Sequence, residues 1–118
     1  MGRALAWTMS PGETLSLGVS LATDLEDGDT LTGTPTVTLW QLDSGTWVEK
    51  TAQATIANQQ VNASELTDAN GDPIPVGKGA MFRLTAPTTE GVYDVKVSCP
   101  STDGEGPATS RKLYVVGP

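Results

Sequence analysis

Carboxylates are the residues of this sequence whose type and spacing come closest to doing chemistry. The segment 24–29, DLEDGD, places four acidic side chains within six residues, among them Asp24, Asp27 and Asp29. Calcium binds several carboxylate oxygens at once, so this turn is a candidate cation site. A solvated Asp–Gly turn explains the same residues without a ligand, and it is the interpretation we prefer. We therefore expect no metal here.

A second acidic segment does not fit a calcium loop. Asp68, Asn70 and Asp72 have the opening spacing of an EF-hand, but the sixth and twelfth positions hold Pro73 and Gly79 instead of Gly and Glu. An Asn–Gly turn that leads into a Pro-rich loop accounts for these residues. Because long loops often carry contact surfaces, we expect part of this loop to bind a partner: Asp72, Pro73, Ile74 and Pro75.

Other catalytic chemistry is limited by the residues that the chain lacks. The sequence has no histidine and a single cysteine, Cys99. This removes Ser–His–Asp and Cys–His catalysis, nearly all zinc and iron ligation, and an internal disulfide. Paired carboxylates could serve a glycosidase, but the turn at 24–29 has no apolar pocket to raise a pKa. We expect neither an enzyme nor a bound cofactor, and we expect Cys99 to be a small buried apolar residue.

Length and charge restrict the partners. A chain of 118 residues forms one domain, and its net charge is −7. Nucleic-acid binding requires clustered Lys and Arg, and anionic membranes repel an acidic surface, so neither is an expected partner. No apolar segment approaches the roughly 20 residues of a membrane span. The first residues also lack the apolar run of a signal peptide, so we expect a protein that is assembled or retained in a cytoplasm.

Short alternating segments, with many Gly, Pro and Thr residues, predict an all-β fold. The clearest pattern runs from 80 to 99, where Tyr93, Val95 and Val97 share one face of a strand. Phe82 and Leu84 share one face of the strand before it. We expect these two strands to pair as a central hairpin. Further strands are predicted at 14–22, 34–42, 47–50 and 109–116, with a weaker one between 51 and 65.

About seven antiparallel strands at this length favour an immunoglobulin-like β-sandwich. Residues 13–118 would form the single sandwich domain. Residues 1–12 would be either an arm that docks on a neighbouring subunit through Leu5 and Trp7, or an edge strand that folds back on its own domain. In such a fold a tyrosine near the start of the penultimate strand often hydrogen-bonds back across the preceding loop, and Tyr93 stands at that place.

Two tryptophans flank the turn predicted at 43–46. Trp40 and Trp47 could pack as a cross-strand pair on one face of this hairpin. They could instead stack on a sugar or on a partner chain. Cross-strand packing is the interpretation that the sequence favours, and the saccharide alternative requires at least one of the two indole rings to be exposed.

Both ends of the chain carry a resemblance. Segments 79–98, GAMFRLTAPTTEGVYDVKVS, and 109–116, TSRKLYVV, resemble the ending of small immunoglobulin-like virion proteins of tailed bacteriophages. Segment 7–31, WTMSPGETLSLGVSLATDLEDGDTL, is similar to the opening of phage fibre–tail adaptors, in which a strand leads into a Leu-x-Asp/Glu-Gly-Asp-Thr turn. The resemblance covers about half of the chain, and residues 45–79 have no counterpart in it.

The resemblance implies a structural virion protein without enzymatic activity. Such a protein would be an adaptor or accessory subunit that binds other virion proteins of the tail, fibre or neck. It would be present in several copies of a symmetric assembly, and it would be assembled in the cytoplasm of the host bacterium. Binding would use sheet edges, the N-terminal arm and the loop at 66–79. The alternatives are a capsid decoration protein and an immunoglobulin-like module that binds carbohydrate.

Overall fold

A computed structural model describes residues 6–22, 25, 29–67, 71–102, 104 and 106–117. The strands that these residues form are β1 Trp7–Met9, β2 Thr14–Ser20, β3 Thr36–Asp43, β4 Thr46–Glu49, β5 Thr55–Val61, β6 Leu66–Thr67, β7 Pro73–Ile74, β8 Gly79–Thr85, β9 Gly91–Ser98 and β10 Ala108–Val115. A 3-10 turn lies at Thr51–Gln53. Within the described ranges, no helix is long and apolar enough to cross a membrane.

The strands build a two-layer sandwich. The five-stranded sheet has the order β1-β10-β9-β3-β4, and the three-stranded sheet has the order β2-β8-β5. Neighbouring strands are antiparallel except β1, which runs parallel to β10. The predicted all-β, immunoglobulin-like sandwich is confirmed. Three short strands that were not counted among the expected seven (β1, β6 and β7) raise the number in the described residues to ten.

The core lies between the inner faces of the two sheets. In β9, Tyr93, Val95 and Val97 are buried, and the residues that alternate with them face outward. Phe82 and Leu84 of β8, in the three-stranded sheet, are also buried and point into the same core. The period-two pattern in the sequence is therefore the pattern of two inner faces that meet in one core.

The predicted hairpin between residues 80 and 99 is wrong. β8 lies in the three-stranded sheet between β2 and β5, whereas β9 lies in the five-stranded sheet between β10 and β3. The link between them crosses from one sheet to the other, so the two strands face each other through the core. Alternation indicates which face of a strand is buried, but it does not indicate which strand lies beside it.

Tyr93 fixes the link from β8 to β9. Its hydroxyl donates a hydrogen bond to the carbonyl oxygen of Thr89 over 2.8 Å, which confirms the predicted tyrosine corner. Only 1% of Tyr93 is exposed, and this burial raises the pKa of its phenol above the ordinary value. The phenol therefore stays neutral, and its hydroxyl proton remains in the hydrogen bond to Thr89 of the link between the two sheets.

The turn between β3 and β4 is the one that the sequence predicted. Asp43 pairs with Thr46, and the two residues between them, Ser44 and Gly45, have φ angles of 51° and 83°. Positive φ at both central residues is typical of a type I′ turn, whose twist matches that of the flanking strands.

Cys99 is buried, as its place in the alternating segment predicted. Its thiol donates a hydrogen bond to the carbonyl oxygen of Thr32 over 3.4 Å. Burial raises the pKa of the thiol, so it remains protonated and behaves as a small core residue.

Candidate binding face

The outer face of the five-stranded sheet presents apolar side chains on four adjacent strands. Because β9 turns its buried residues inward, Val92 and Asp94 point outward. The register places Tyr114 of β10 opposite Val92, and Trp40 of β3 opposite Asp94. Leu42 follows Trp40 on the same face and pairs with a residue of β4. We call this surface the tryptophan face and define it by its apolar residues: Trp40, Leu42, Trp47, Val92 and Tyr114.

Most of the tryptophan face is exposed. The exposed fractions are 54% for Leu42, 49% for Trp47, 47% for Val92 and 39% for Tyr114. These four are half of the eight large apolar side chains that are exposed among the described residues, so the exposed apolar surface is concentrated on one sheet. Contiguous apolar surface with a polar rim is typical of an interaction site.

The two tryptophans share this face, but they are not a direct cross-strand pair. Glu49 stands opposite Trp40, and Leu42 stands opposite Trp47. The rings are thus diagonal neighbours. The exposure of Trp47 meets the condition that the saccharide hypothesis set, and it departs from the packed ring pair that the sequence favoured.

Charged side chains hold the rings of the face in place. The Lys96 ammonium lies 5.0 Å from the centre of the Trp40 ring, and the Lys112 ammonium lies 5.8 Å from the centre of the Trp47 ring. Lys112 also forms an ion pair with Asp94, with 3.0 Å between Nζ and Oδ1. At exposed sites, cation–π contacts of this kind stabilise by about 0.5–1 kcal/mol each, so they order the rings without covering them.

Two adjoining depressions indent the tryptophan face. One has a volume of about 300 Å³ and is lined by Trp40, Trp47, Asp94 and Lys96. The other has a volume of about 350 Å³, and its lining includes Leu42, Trp47, Val92 and Lys112. Trp47 and Asp94 line both. The arrangement can accept a flat ring or an apolar side chain beside a carboxylate and two ammonium groups.

Trp7, predicted to be part of a docking arm, packs on its own sandwich. β1 pairs with β10 from Trp7 to Met9, which is the edge-strand alternative. The Trp7 ring meets Phe82 edge to face, with 5.9 Å between the ring centres, and the Arg111 guanidinium lies 5.0 Å from its centre. The Trp7 ring therefore makes contacts within its own domain, with Phe82 of the core and with the Arg111 side chain. Leu5, the other predicted arm residue, lies outside the described residues.

Of the four acidic residues in the turn, Asp29 lies within the described residues, and Asp24, Glu26 and Asp27 lie outside them. Asp29 is 6% exposed, so the preferred interpretation of a solvated turn is wrong at this position. Its Oδ1 accepts hydrogen bonds from the backbone N–H of Thr30, over 2.9 Å, and from the hydroxyl of Thr102. The ammonium of Lys78 donates to its main-chain carbonyl. Asp29 thus links its own loop to the loops that contain Lys78 and Thr102.

The loop predicted to bind a partner is only partly available for binding. Ile74 is fully buried, because it packs against the outer surface of the three-stranded sheet at Gly79. This corrects its assignment as a contact residue. Asp72, Pro73 and Pro75 are exposed, and their proposed contact with a partner stays a prediction.

Asn62, which is not among the site residues predicted from the sequence, organises this loop. The two hydrogens of its Nδ2 are shared among three main-chain carbonyl oxygens, at distances of 2.9–3.2 Å. Its Oδ1 accepts from the N–H groups of Gly77 and Gly79, at 3.1 and 3.0 Å. Only 2% of Asn62 is exposed. An asparagine just before a Pro- and Gly-rich loop is the available signal, since its amide can replace backbone partners that such a loop lacks.

The described part of the chain shows no group of three or more His, Cys, Asp or Glu residues placed to hold a metal ion. Comparison of the sequence with protein-family models and with curated proteins found no match. The tryptophan face therefore remains the strongest candidate site on its own geometry.

Proposed function

We propose that this protein is a non-enzymatic structural subunit of a tailed-phage virion, an adaptor that attaches to another virion protein through the tryptophan face. The observation that carries the proposal is the exposed apolar row that crosses four strands of the five-stranded sheet. The resemblance of both chain ends to small virion proteins is the reason for proposing a tailed-phage particle. In the alternative of a capsid decoration protein, the same face would attach the subunit to the capsid and not to the tail, fibre or neck.

The chemistry of the face supports a protein partner. Trp and Tyr are enriched among the residues that dominate binding energy at protein interfaces, and they act best inside a rim that excludes water. Here Trp47 and Tyr114 are separated by the aliphatic side chains of Leu42 and Val92, and Lys96 and the Lys112–Asp94 pair border them. Aliphatic residues between the rings favour packing against apolar side chains over stacking on a saccharide alone.

Incorporation into particles tests the proposal. A phage that lacks the gene would be complemented with wild-type protein, with Trp47→Ala or with Val76→Ala, and the copies per purified virion would be counted by quantitative mass spectrometry. Val76 is 55% exposed but lies in the loop away from the face, so it is the matched control. We expect incorporation to fall about tenfold or more for Trp47→Ala, in line with loss of an interface anchor, and to stay unchanged for Val76→Ala.

Two results would contradict the proposal. If virions contain no wild-type protein, the chain is not a structural subunit. If Trp47→Ala is incorporated as well as the wild type, the tryptophan face is not the attachment surface. Cooperative thermal unfolding of both variants, with stability within about 1 kcal/mol of the wild type, would show that the substitutions act on binding and not on the fold.

A second candidate function is saccharide binding in the depression between Trp40 and Trp47. The partial exposure of Trp47 and the carboxylate of Asp94 in the same depression favour it. Titration of the intrinsic tryptophan fluorescence with oligosaccharides of bacterial cell walls would test it. Saccharide binding should be lost in Trp40→Ala and kept in Leu42→Ala, whereas a protein interface centred on the exposed row should be weakened by Leu42→Ala.

A further inference from the structure

The sheet edges of the sandwich are not equally protected against pairing with another strand. In the described residues, β1 has three residues and β4 has four. β5 is interrupted by a register shift between Ala57 and Gln60, where Asn58 has a φ of +58°. Short strands and bulges are the features by which proteins block pairing at an exposed edge. Three of the four edges therefore carry such a feature.

The fourth edge, β2, carries none. Thr14–Ser20 pairs with β8 over seven consecutive residues without a shift, and this segment contains no charged residue and no proline. The sheet order leaves its other side without a neighbouring strand among the described residues. In immunoglobulin-like folds another strand often occupies this outer position. Here the first described strand, β1, pairs with β10 in the opposite sheet.

The hydrogen bonds at both ends of β2 show which backbone groups face the open side. The N–H of Ala86 donates to the carbonyl of Glu13 over 2.8 Å, and the N–H of Leu21 donates to the carbonyl of Lys78 over 2.9 Å. In an antiparallel ladder, residues alternate between bonding toward one neighbour and toward the other. Since Glu13 and Leu21 bond toward β8, the N–H and C=O groups of alternate residues point to the open side: Thr14, Ser16, Gly18 and Ser20.

We propose that two copies of this chain pair through β2, antiparallel about a two-fold axis at Leu17, to form one continuous six-stranded sheet. This register uses all seven residues of β2. It places Ser16 opposite Gly18 of the partner subunit, so the residues with outward backbone groups bond with one another. The proposal does not depend on the proposed function, because it concerns the opposite sheet from the tryptophan face.

A second copy is the occupant that the side chains and the charge of β2 favour. In this register Leu15, which is 37% exposed, would lie beside Val19 of the partner subunit, and Leu17 would lie beside Leu17 of the partner subunit. The chain carries a net charge of −7, so two copies repel each other over most surfaces. Thr14–Ser20 contributes none of that charge, and a self-complementary strand closes into an isologous dimer.

Molar mass measured by light scattering and sedimentation, from micromolar to millimolar protein, tests the pairing. The monomer mass is 12.3 kDa, and we expect the wild type to approach twice that value. Leu15→Glu should remain monomeric, since a charge on the edge blocks strand pairing. Val48→Glu is the matched control, because Val48 is a 36% exposed residue of another edge strand and the change in net charge is the same.

A disulfide test checks the register independently. In a Cys99→Ala background with oxidised glutathione as the oxidant, Leu17→Cys should form an intermolecular disulfide. Residues opposite each other in a non-hydrogen-bonded pair have Cα atoms about 4.5 Å apart, within disulfide reach. Leu15→Cys should not form one, because four residue steps of about 3.4 Å would separate it from the same residue of the partner subunit.

Several outcomes would overturn the proposal. A wild type that is monomeric at every concentration would rule out pairing between two copies. The partner of the β2 edge would then be a strand of another protein or the first residues of this chain. Equal loss of the dimer in Leu15→Glu and Val48→Glu would place the contact elsewhere. A disulfide of equal yield in Leu15→Cys and Leu17→Cys would contradict the register. Matching circular dichroism spectra for all variants would show that each one folds.

Discussion

The outer faces of the two sheets can be compared directly, because both carry large apolar side chains. On the three-stranded sheet, Leu66 and Ile74 of the loop between β5 and β8 pack against the glycines at 18 and 79. Ile74 is fully buried there. On the five-stranded sheet, the apolar row from Tyr114 to Trp47 faces solvent. One outer face is covered by the chain itself, and the other is left open.

The difference shows how an apolar residue on an outer face acquires its role. The covering loop is held by the hydrogen bonds of Asn62, and its apolar residues are part of the fold. The open face has ordered rings and a charged rim but no covering segment in the described residues. We therefore expect substitutions on the covered face to lower the free energy of unfolding by several kcal/mol. Substitutions on the open face should weaken binding while changing stability by no more than about 1 kcal/mol.

Removing the side chain that holds the cover should have the largest effect. Asn62→Ala removes all the side-chain hydrogen bonds that Asn62 makes to this loop. The Gly77 N–H and the Pro75 carbonyl keep a main-chain partner, whereas the buried N–H of Gly79 loses the side-chain oxygen that it donates to. Since each orphaned buried group costs about 1–3 kcal/mol and the losses are not additive, we expect the free energy of unfolding to fall by about 3–4 kcal/mol. Urea denaturation measures it. Asn58→Gly, at a residue with φ of +58°, is the control and should be nearly neutral.

If Asn62→Ala changed the free energy of unfolding by less than about 1 kcal/mol, the proposed difference between the covered and the open face would be contradicted. The loop would then remain in place through its own packing, and the burial of Ile74 would not depend on Asn62.

A matched pair of aliphatic truncations compares the two faces most directly. Ile74→Ala on the covered face should lower the free energy of unfolding by about 3 kcal/mol, because it leaves a cavity under the loop. Leu42→Ala on the open face should change it by less than about 0.5 kcal/mol, since its side chain is 54% exposed. Chemical denaturation of both variants gives the two values. Similar losses for both would mean that the tryptophan face also serves the fold.

Two glycines sharpen the comparison within the covered face. A Cβ at position 79 would lie 2.5 Å from Cγ2 of Ile74 and 3.0 Å from the carbonyl oxygen of Val19, whereas a Cβ at position 18 would lie 3.4 Å from Leu66. We expect Gly79→Ala to cost about 2 kcal/mol through overpacking. Gly18→Ala should be nearly neutral.

The source of the strain can be isolated by a double-mutant cycle in thermal and urea unfolding. Ile74→Ala should make Gly79→Ala less costly, because the methyl group that it meets is gone. Additive effects would place the strain at the backbone of Val19 instead.

The sequence was informative wherever one strand alone determines the outcome. The alternation of Tyr93, Val95 and Val97 predicted their shared burial, and the Ser44–Gly45 pair predicted a two-residue turn. The placement of Tyr93 after Thr89 predicted its hydrogen bond across the loop. The first two depend on side-chain periodicity and on backbone φ, which are local properties. The third joins residues only four positions apart, at a place that the immunoglobulin-like topology indicates.

Features that depend on which strands are neighbours could not be predicted. The link after β8 was assigned to a hairpin because the strand pattern is the same whether the next strand lies beside it or across the core. Val92 and Tyr114 join the tryptophan face only through the register of β9 with β10. Ile74 stands alone between two prolines, so no periodicity indicated that it is buried.

A substitution inside the core, beneath the open face, should lower stability less than the truncations on the covered face and should not change binding. Tyr93→Phe removes the hydrogen bond to Thr89 and should lower the free energy of unfolding at neutral pH by about 1 kcal/mol. Its effect should also depend on pH. Burial raises the pKa of the folded-state phenol above the ordinary value of 10.0, so the unfolded state loses its proton first.

Stability from this group is therefore complete below pH 10 and is lost as the pH rises toward the folded-state pKa. Urea denaturation between neutral pH and pH 11 should show the wild type losing stability more steeply than Tyr93→Phe, so that the two curves converge. Leu42→Ala, an exposed control on the tryptophan face that removes no titratable group, should keep the wild-type slope. Parallel curves for wild type and Tyr93→Phe would mean that the Tyr93 phenol ionises in the folded state as readily as in the unfolded state, and that water reaches it from the open face.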